Sequence, residues 1–198
     1  MRATQAIEAG FIDPVDDAND VFRQVLDALA HPGRIVTIAQ PARVPRGSLG
    51  RAAIGVAMAL ADFETPVWLD EAASPAASHL RFHCNCPIVS EPDQATFLFA
   101  AEPGLIPALE TLPLGSDPYP DQGATLVIEV AGLAPEGTLM LQGPGIDGHA
   151  PLGVAGLPDG FWDARAALAP LFPRGIDLLL THGDALVAIP RTTIVLRS

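Results

Sequence analysis

Four side chains that can bind a metal ion lie close together in the sequence, at His79, His83, Cys84 and Cys86. On a helix, histidines four residues apart face the same side and can hold one ion between them. Cys84 would point about 100° away from His83, so all four ligands converge only if the helix breaks at Asn85. We therefore favour an alternative in which His83 hydrogen-bonds to backbone or a carboxylate and the cysteines pack as small apolar groups, and we predict no metal site.

Arginines are the second group of residues that could do chemistry. Arg81, Arg174 and Arg191 fall in or beside the predicted ends of helices and strands, where a planar guanidinium can bind phosphonate or triphosphate oxygens through two hydrogen bonds. A surface ion pair is the alternative for each arginine taken singly. One hypothesis is therefore an enzyme in which Arg81 and Arg191 bind a phosphonate or triphosphate. His83, with an ordinary pKa of about 6.5, would be its catalytic acid or base, and the three side chains would have to share one pocket.

The segment 141–146, Leu-Gln-Gly-Pro-Gly-Ile, could present backbone N–H groups to a phosphate, since glycine lets a ligand approach the main chain closely. Pro144 lacks one of the N–H donors that such a site needs. The two glycines serve a tight turn at the end of a strand equally well. We favour the turn.

The chain lacks residues that several classes of enzyme require. Ser48, Thr192 and Thr193 have no recognisable base beside them, and no serine lies in a Gly-x-Ser-x-Gly sequence, so a hydrolase triad is not supported. All eleven basic residues are arginines, and lysine is absent. Schiff-base chemistry with pyridoxal phosphate, a lysine nucleophile and the lysine of a Walker phosphate loop are therefore excluded.

Length and composition predict one domain over residues 1–198. The 198 residues, 49% of them hydrophobic, suffice for one well-buried core but not for two. The longest apolar stretches, such as 52–61, fall short of the roughly 20 residues that a membrane span needs, and we expect no membrane association. The N-terminal residues do not form a secretory leader, so we expect a cytoplasmic protein.

The formal net charge of −12 argues against nucleic acid as a partner, because the field repels polyanions and no cluster of arginines and aromatic residues offsets it. Cys84 and Cys86 are separated by one residue, which would strain a disulfide between them. We expect both thiols to be reduced.

Helical periodicity and end signals predict four helices. The first carries an apolar stripe from Val21 to Leu29, can be capped by Asp17 or Asn19, and ends at residues 31–33. The others are expected at 49–61 with Ser48 as N-cap, from Ser74-Pro75 to Asn85, and at 158–171.

Runs rich in β-branched and aromatic residues predict strands. They lie at 35–38, 66–69, 95–100, 124–130, 138–142, 177–181, 186–190 and 192–196. We expect 138–142 to pair with 124–130. Helices and strands alternate in the first half of the chain and strands crowd the second, which favours an α/β fold of layers around a mixed sheet.

Taken together, strings along nearly the whole chain resemble the PhnH family of the bacterial carbon-phosphorus lyase system. They occur in family order and are far more specific together than any single motif. The strings are Asp13-Pro14-Val15 with Phe22-Arg23, residues 30–33, 62–69, 80–83, 87–89, 94–97 and 123–126, Phe172-Pro173 with Gly175-Ile176-Asp177, and residues 188–193.

This resemblance implies a fold similar to the large domain of pyridoxal-phosphate-dependent transferases, without the cofactor, and a homodimer in isolation. It also implies a place in organic phosphonate catabolism. In the family, PhnH works with PhnG, PhnI and PhnL to transfer ribose triphosphate from ATP to methylphosphonate, before PhnJ cleaves the carbon-phosphorus bond. PhnH joins PhnG, PhnI and PhnJ in a core complex.

The family offers no established catalytic residue, so the resemblance leaves the subunit's own role open. Because the chain lacks a triad, lysine and a phosphate loop, we favour a scaffold or a subunit that completes a partner's site and is inactive alone. The alternative is the enzyme described above, which uses Arg81, His83 and Arg191. ATP or an alkylphosphonate could be bound at a site shared with a partner.

Overall fold

The computed structural model describes residues 10–38 and 49–197, and ten strands and four α-helices lie within these residues. The helices are α1 (Asp16–Ala30), α2 (Arg51–Leu60), α3 (Ala77–Cys84) and α4 (Phe161–Ala167). The strands are β1 (Val36–Thr37), β2 (Val67–Leu69), β3 (Ile88–Val89), β4 (Phe97–Ala100), β5 (Thr125–Glu129), β6 (Gly132–Gln142), β7 (Ala150–Ala155), β8 (Asp177–His182), β9 (Ala185–Ile189) and β10 (Ile194–Arg197).

A seven-stranded mixed sheet forms the centre of the described structure, in the order β1-β9-β8-β5-β4-β2-β3. Five neighbouring strands, from β8 to β3, are parallel. β9 returns antiparallel to β8 after the turn at Gly183, and β1 pairs antiparallel with β9. The predicted α/β architecture with a mixed sheet is confirmed.

Side chains of the central strands point alternately to the two faces of this sheet and build a core on each. Leu98, Leu126 and Leu178 pack on one face, and their neighbours Phe99 and Val127 pack on the other. Helices α1, α2 and α3 cover the face of Phe99, whereas a second sheet and α4 cover the opposite face. We call these the helical face and the α4 face.

The second sheet has the order β10-β6-β7 and is antiparallel throughout. The prediction that residues 138–142 pair with 124–130 is therefore wrong. The two edges of β5 are occupied by β4 and β8, and β6 pairs instead with the nearby β7. No strand was predicted at β7, because Pro151 and Gly153 depress its β propensity.

The first helix begins earlier than its predicted caps. The carboxylate of Asp13 accepts hydrogen bonds from the backbone N–H groups of Val15 and Asp16, at 3.0 and 3.1 Å. Asp17 lies within the helix, and its carboxylate accepts N–H groups of the preceding loop. The predicted cap Ser48 lies outside the described residues. At the end of α3, Asn85 takes the left-handed conformation (φ 55°), as the predicted helix end requires.

The predicted helix at 158–171 is shorter in the structure. It ends at Ala167 and continues as one 3₁₀ turn, Ala169–Leu171, because Pro170 cannot donate the backbone hydrogen bond of an α-helix. Among the described residues, no helix is long and apolar enough to cross a membrane.

Candidate functional site

A cavity of about 460 Å³ lies on the α4 face, between α4 with its following turn and the chain that leaves β9 and enters β10. Its volume falls within the range of small-molecule sites, about 300–1,000 Å³. Three arginines and two threonines supply its polar groups: Arg165, Arg174, Arg191, Thr192 and Thr193.

Arg191 is fixed at this cavity by Asp177, the first residue of β8. The backbone N–H of Arg191 donates to Asp177 Oδ1 over 2.7 Å, and Arg191 Nη2 lies 2.6 Å from Oδ2. The guanidinium group also donates from Nε to both oxygens of Asp177 and from Nη1 to the carbonyl of Pro120. The guanidinium group is therefore held in one orientation, and its charge is balanced by a carboxylate.

Two glycines make the room that the Arg191 side chain occupies. A Cβ atom at Gly123 would lie 2.7 Å from Arg191 Nη1 and 2.2 Å from the carbonyl of Gly175. Gly175 has a φ of +154°, which other residues rarely adopt. Gly123, Gly175 with Asp177, and Arg191 come from three different strings of the PhnH resemblance, and the fold brings these strings together here.

Arg165 is a site residue that the sequence analysis missed. It lies on the buried side of α4, between Phe161 and Leu168, and is only 8% exposed. Its Nη2 donates to the carbonyl of Pro190 over 2.8 Å. Burial lowers the pKa of Arg165, and the nearby Asp177 opposes that shift. The available signal was a charged residue in the apolar stripe of an amphipathic helix.

Thr193 lies beside Arg165 because both use the same carbonyl group. The backbone N–H of Thr193 donates to Pro190 O over 2.9 Å, and that oxygen also accepts from Arg165. Thr193 is 2% exposed. Its Oγ1 and the Nε of Arg165 are both buried without a hydrogen-bond partner among the described residues.

The remaining wall of the cavity is mostly apolar. Trp162, Phe172 and Ile194 line it, and Trp162 packs edge to face against Phe161 with ring centroids 5.2 Å apart. Arg174 lies at the same wall in an ion pair, with Nε 3.1 Å from Asp117 Oδ1. Arg174 and Arg191 are thus both paired with a carboxylate, Arg174 in a partly exposed ion pair and Arg191 in a largely buried one.

Arg81 and His83 lie elsewhere, on the last turn of α3. This helix belongs to the helical face, because its Leu80 packs in that core. Arg81 is exposed, and the ring of His83 stacks at a tilt on His79 with centroids 4.4 Å apart. The structure therefore places the two residues of α3 and the predicted partner Arg191 on opposite faces of the large sheet. One copy of the chain does not join them in a pocket.

Cys84 is the last residue of α3, and its thiol donates to the carbonyl of Ala57 over 3.7 Å and also interacts with the thiol of Cys86. The hydrogen bond with Cys86, together with burial, raises the pKa of Cys84. The same hydrogen bond lowers the pKa of Cys86 despite burial. Both cysteines are free, and no group of three or more metal-binding side chains occurs within the described part of the chain.

The glycine-rich segment after β6 forms a turn. The backbone N–H of Ile146 donates to Gly143 O over 3.1 Å. A Cβ atom at Gly145 would lie 2.2 Å from the carbonyl of Ala30, at the end of α1. Gly145 therefore allows close packing of two chain segments, which agrees with the favoured interpretation as a turn.

Comparison with known proteins shows which family the chain resembles. The model of the family described as bacterial phosphonate metabolism protein (PhnH) matches residues 9–196. The alpha-D-ribose 1-methylphosphonate 5-triphosphate synthase subunit PhnH of Rhizobium meliloti strain 1021 is 39% identical over 196 residues, which cover 98% of each chain. The protein HtxG of Stutzerimonas stutzeri, named as a candidate C-P lyase subunit, is 34% identical over 193 residues, 98% of this chain and 93% of that protein.

Proposed function

The chain belongs to the PhnH family of bacterial phosphonate metabolism proteins, and from this membership we propose that it is a subunit of the carbon-phosphorus lyase core complex. With PhnG, PhnI and PhnL it takes part in the transfer of ribose triphosphate from ATP to methylphosphonate. The observation that carries the proposal is the match, along 98% of both chains, to a subunit of the ribose 1-methylphosphonate 5-triphosphate synthase.

An assembly role is supported by an apolar surface on α1 and the loop before it. Ile12 and Val15 are 83% and 76% exposed, and Phe22 and Leu26 are about half exposed. Val15, Phe22 and Leu26 recur at helical spacing on an exposed side of the same helix, next to the side that carries the buried Val21 and Val25. Clustered apolar side chains in solvent mark contact sites for other proteins. In our proposal this surface, the α1 stripe, is covered by another subunit of the complex.

The partners are those of the family: PhnG, PhnI, PhnJ and PhnL, with a homodimer as the form of the isolated chain. The subunit is a scaffold, or completes a partner's site, and is inactive alone. The alternative of an independent enzyme that uses Arg81, His83 and Arg191 has less support, because these residues lie on two faces of the sheet. Of the two predicted substrate-binding residues, Arg191 lines the cavity on the α4 face and Arg81 does not.

We further propose one PhnH-like domain over residues 1–198, in the cytoplasm, with the architecture of the large domain of pyridoxal-phosphate-dependent transferases. A mainly parallel seven-stranded sheet with helices on one face and a smaller sheet on the other supports this architecture. Without lysine, the chain cannot form the Schiff base that holds pyridoxal phosphate, so the fold is used without that cofactor.

Co-purification tests the assembly role. The chain is co-expressed with PhnG, PhnJ and affinity-tagged PhnI, and the eluted complex is sized and its subunits quantified. We expect the chain to elute with the tagged partner in a fixed ratio. Elution of a PhnG–PhnI–PhnJ complex without the chain would contradict the proposal.

A further inference from the structure

The cavity on the α4 face holds more positive charge than its surroundings neutralise. Arg191 is paired with Asp177 and Arg174 with Asp117, but Arg165 takes part in none of the ion pairs formed by the described residues. Asp177 is thus the carboxylate that acts on two guanidinium groups. No Asp or Glu is among the described residues that line the cavity. These charges favour an anionic ligand.

Three buried hydrogen-bond donors on residues that line the cavity lack acceptors among the described residues, and two of them, Arg165 Nε and Thr193 Oγ1, also lack a carboxylate beside them, whereas the third, Arg174 Nε, lies 3.1 Å from Asp117 Oδ1 in an ion pair. Arg165 Nε and Thr193 Oγ1 are buried and unpartnered among the described residues, and the carbonyl of Pro190 accepts from both residues, from the side-chain Nη2 of Arg165 and from the backbone N–H of Thr193. Buried polar groups in native proteins are nearly always satisfied, by protein, water or ligand. A guanidinium and a hydroxyl that line the same cavity supply the donors that the oxygens of a phosphoryl or phosphonyl group accept.

The size and the apolar wall of the cavity indicate a ligand that is larger than an inorganic anion. Trp162, Phe172 and Ile194 form a wall without charge, and about 460 Å³ exceeds what one tetrahedral oxyanion fills. Aromatic side chains bind apolar or planar groups more favourably than they bind water. The ligand that fits both parts has an oxyanion joined to an organic body.

We propose that this cavity binds an organic phosphate or phosphonate, with its oxyanion at Arg165 and Thr193 and its organic part against Trp162 and Phe172. The inference deepens the proposed function and rests on it for the source of the ligand, since ATP and methylphosphonate both carry this chemistry. The anion site itself rests on the geometry of the cavity.

Calorimetric titration of the full chain tests the inference, with ATP, methylphosphonate, inorganic phosphate and adenosine as separate probes. We expect saturable binding of ATP or methylphosphonate that is tighter than that of inorganic phosphate, and none of adenosine. Thr193→Val removes an unpartnered hydroxyl, so it should weaken binding about tenfold while the melting temperature stays the same or rises. Arg165→Gln should weaken binding by more than about tenfold.

Arg51→Gln is the matched control, because Arg51 is an exposed arginine paired with Asp184 away from the cavity. Its affinity should equal that of the unchanged chain. Binding of ATP or of methylphosphonate identifies which of the two is the source of the ligand. The inference is overturned if neither ATP nor methylphosphonate binds, if inorganic phosphate binds as tightly as they do, or if Thr193→Val and Arg165→Gln leave the affinity unchanged.

Failure of this inference is distinguishable from failure of the proposed function. A chain that binds no ligand but is still required for turnover by its partners contradicts the anion site alone. A chain that binds ATP or methylphosphonate through Arg165 but is dispensable for turnover contradicts the proposed function alone.

Discussion

The carboxylate of Asp177 holds Arg191 through both its backbone and its side chain, with Oδ1 2.7 Å from the backbone nitrogen and Oδ2 2.6 Å from Nη2. This bond ties the start of β8 to the segment that leaves β9, where one wall of the cavity begins. It also neutralises Arg191, which leaves Arg165 as the cavity arginine without a carboxylate partner among the described residues.

Asp177→Asn is expected to lower the free energy of unfolding by about 2 kcal/mol, because hydrogen bonds to a charged group are lost where solvent is largely excluded. The side chains of Arg191 and Asp177 are 15% and 24% exposed. Urea unfolding measures the change. The control is Asp163→Asn, which breaks the exposed pair with Arg197 and should cost less than about 1 kcal/mol. Equal losses in the two variants would contradict the account.

Gly123→Ala is expected to destabilise the chain by about 1–3 kcal/mol, because the new methyl group collides with backbone and with the fixed guanidinium of Arg191. Gly104→Ala serves as control, since the nearest atom to its Cβ, Glu102 Oε1, is 3.7 Å away. We expect that variant to unfold within about 0.5 kcal/mol of the parent. A Gly123→Ala chain as stable as the control would show that Arg191 is not held as described.

Gly55→Ala is expected to stabilise the chain by about 0.5–1 kcal/mol. Gly55 lies inside α2, where glycine is a poorer helix former than alanine. An added Cβ atom would make ordinary contacts, 3.8 Å from Ile38 Cδ1 and from Val21 Cγ1. Thermal and urea unfolding report the gain. A loss of stability would mean that α1 and α2 pack more tightly than these distances indicate.

Cys86 is expected to ionise below the ordinary cysteine pKa of about 8.5, because the thiol of Cys84 stabilises its thiolate by a hydrogen bond. The rise of thiolate absorbance with pH measures this. Cys84→Ala removes the donor and should raise the pKa of Cys86, since burial then acts without the bond. Cys84→Ser keeps a donor and should leave the pKa low. Identical titrations of the parent and Cys84→Ala would refute the pairing.

Double substitution of the α1 stripe, Phe22→Ser with Leu26→Ser, is expected to weaken assembly with the partner subunits. Both side chains are about half exposed in the isolated chain, so stability should change by no more than about 1 kcal/mol. Tyr119→Ser, at another exposed aromatic residue, is the control and should assemble normally. Undiminished co-purification of the double variant would exclude the stripe as a subunit contact.

Elements with strong local signals could be predicted from the sequence. The helical spacing of the buried residues of α1, the buried runs of β5 and β8, and the end of α3 at Asn85 are each determined by neighbouring residues. The partner of β6 could not be predicted, because pairing depends on which strand edges are free after the large sheet has formed.

The candidate site was predictable only in part. Arg191 was identified because it follows a strand and lies in a family string. Arg81 and His83 satisfy the same chemical criteria, but their helix lies in the connection from β2 to β3, which packs on the opposite face of the sheet. Arg165 occupies a position in the apolar stripe of α4, but the carbonyl of Pro190 that accepts from it and the nearby charge of Asp177 come from residues distant in the sequence.

The most direct test of the central claim is the turnover of ATP with methylphosphonate by PhnG, PhnI and PhnL, measured with and without this chain and with the chain alone. We predict that ribose 1-methylphosphonate 5-triphosphate forms only when all four proteins are present. Equal turnover without the chain would contradict its role as a required subunit, and turnover by the chain alone would show that it is an enzyme in its own right.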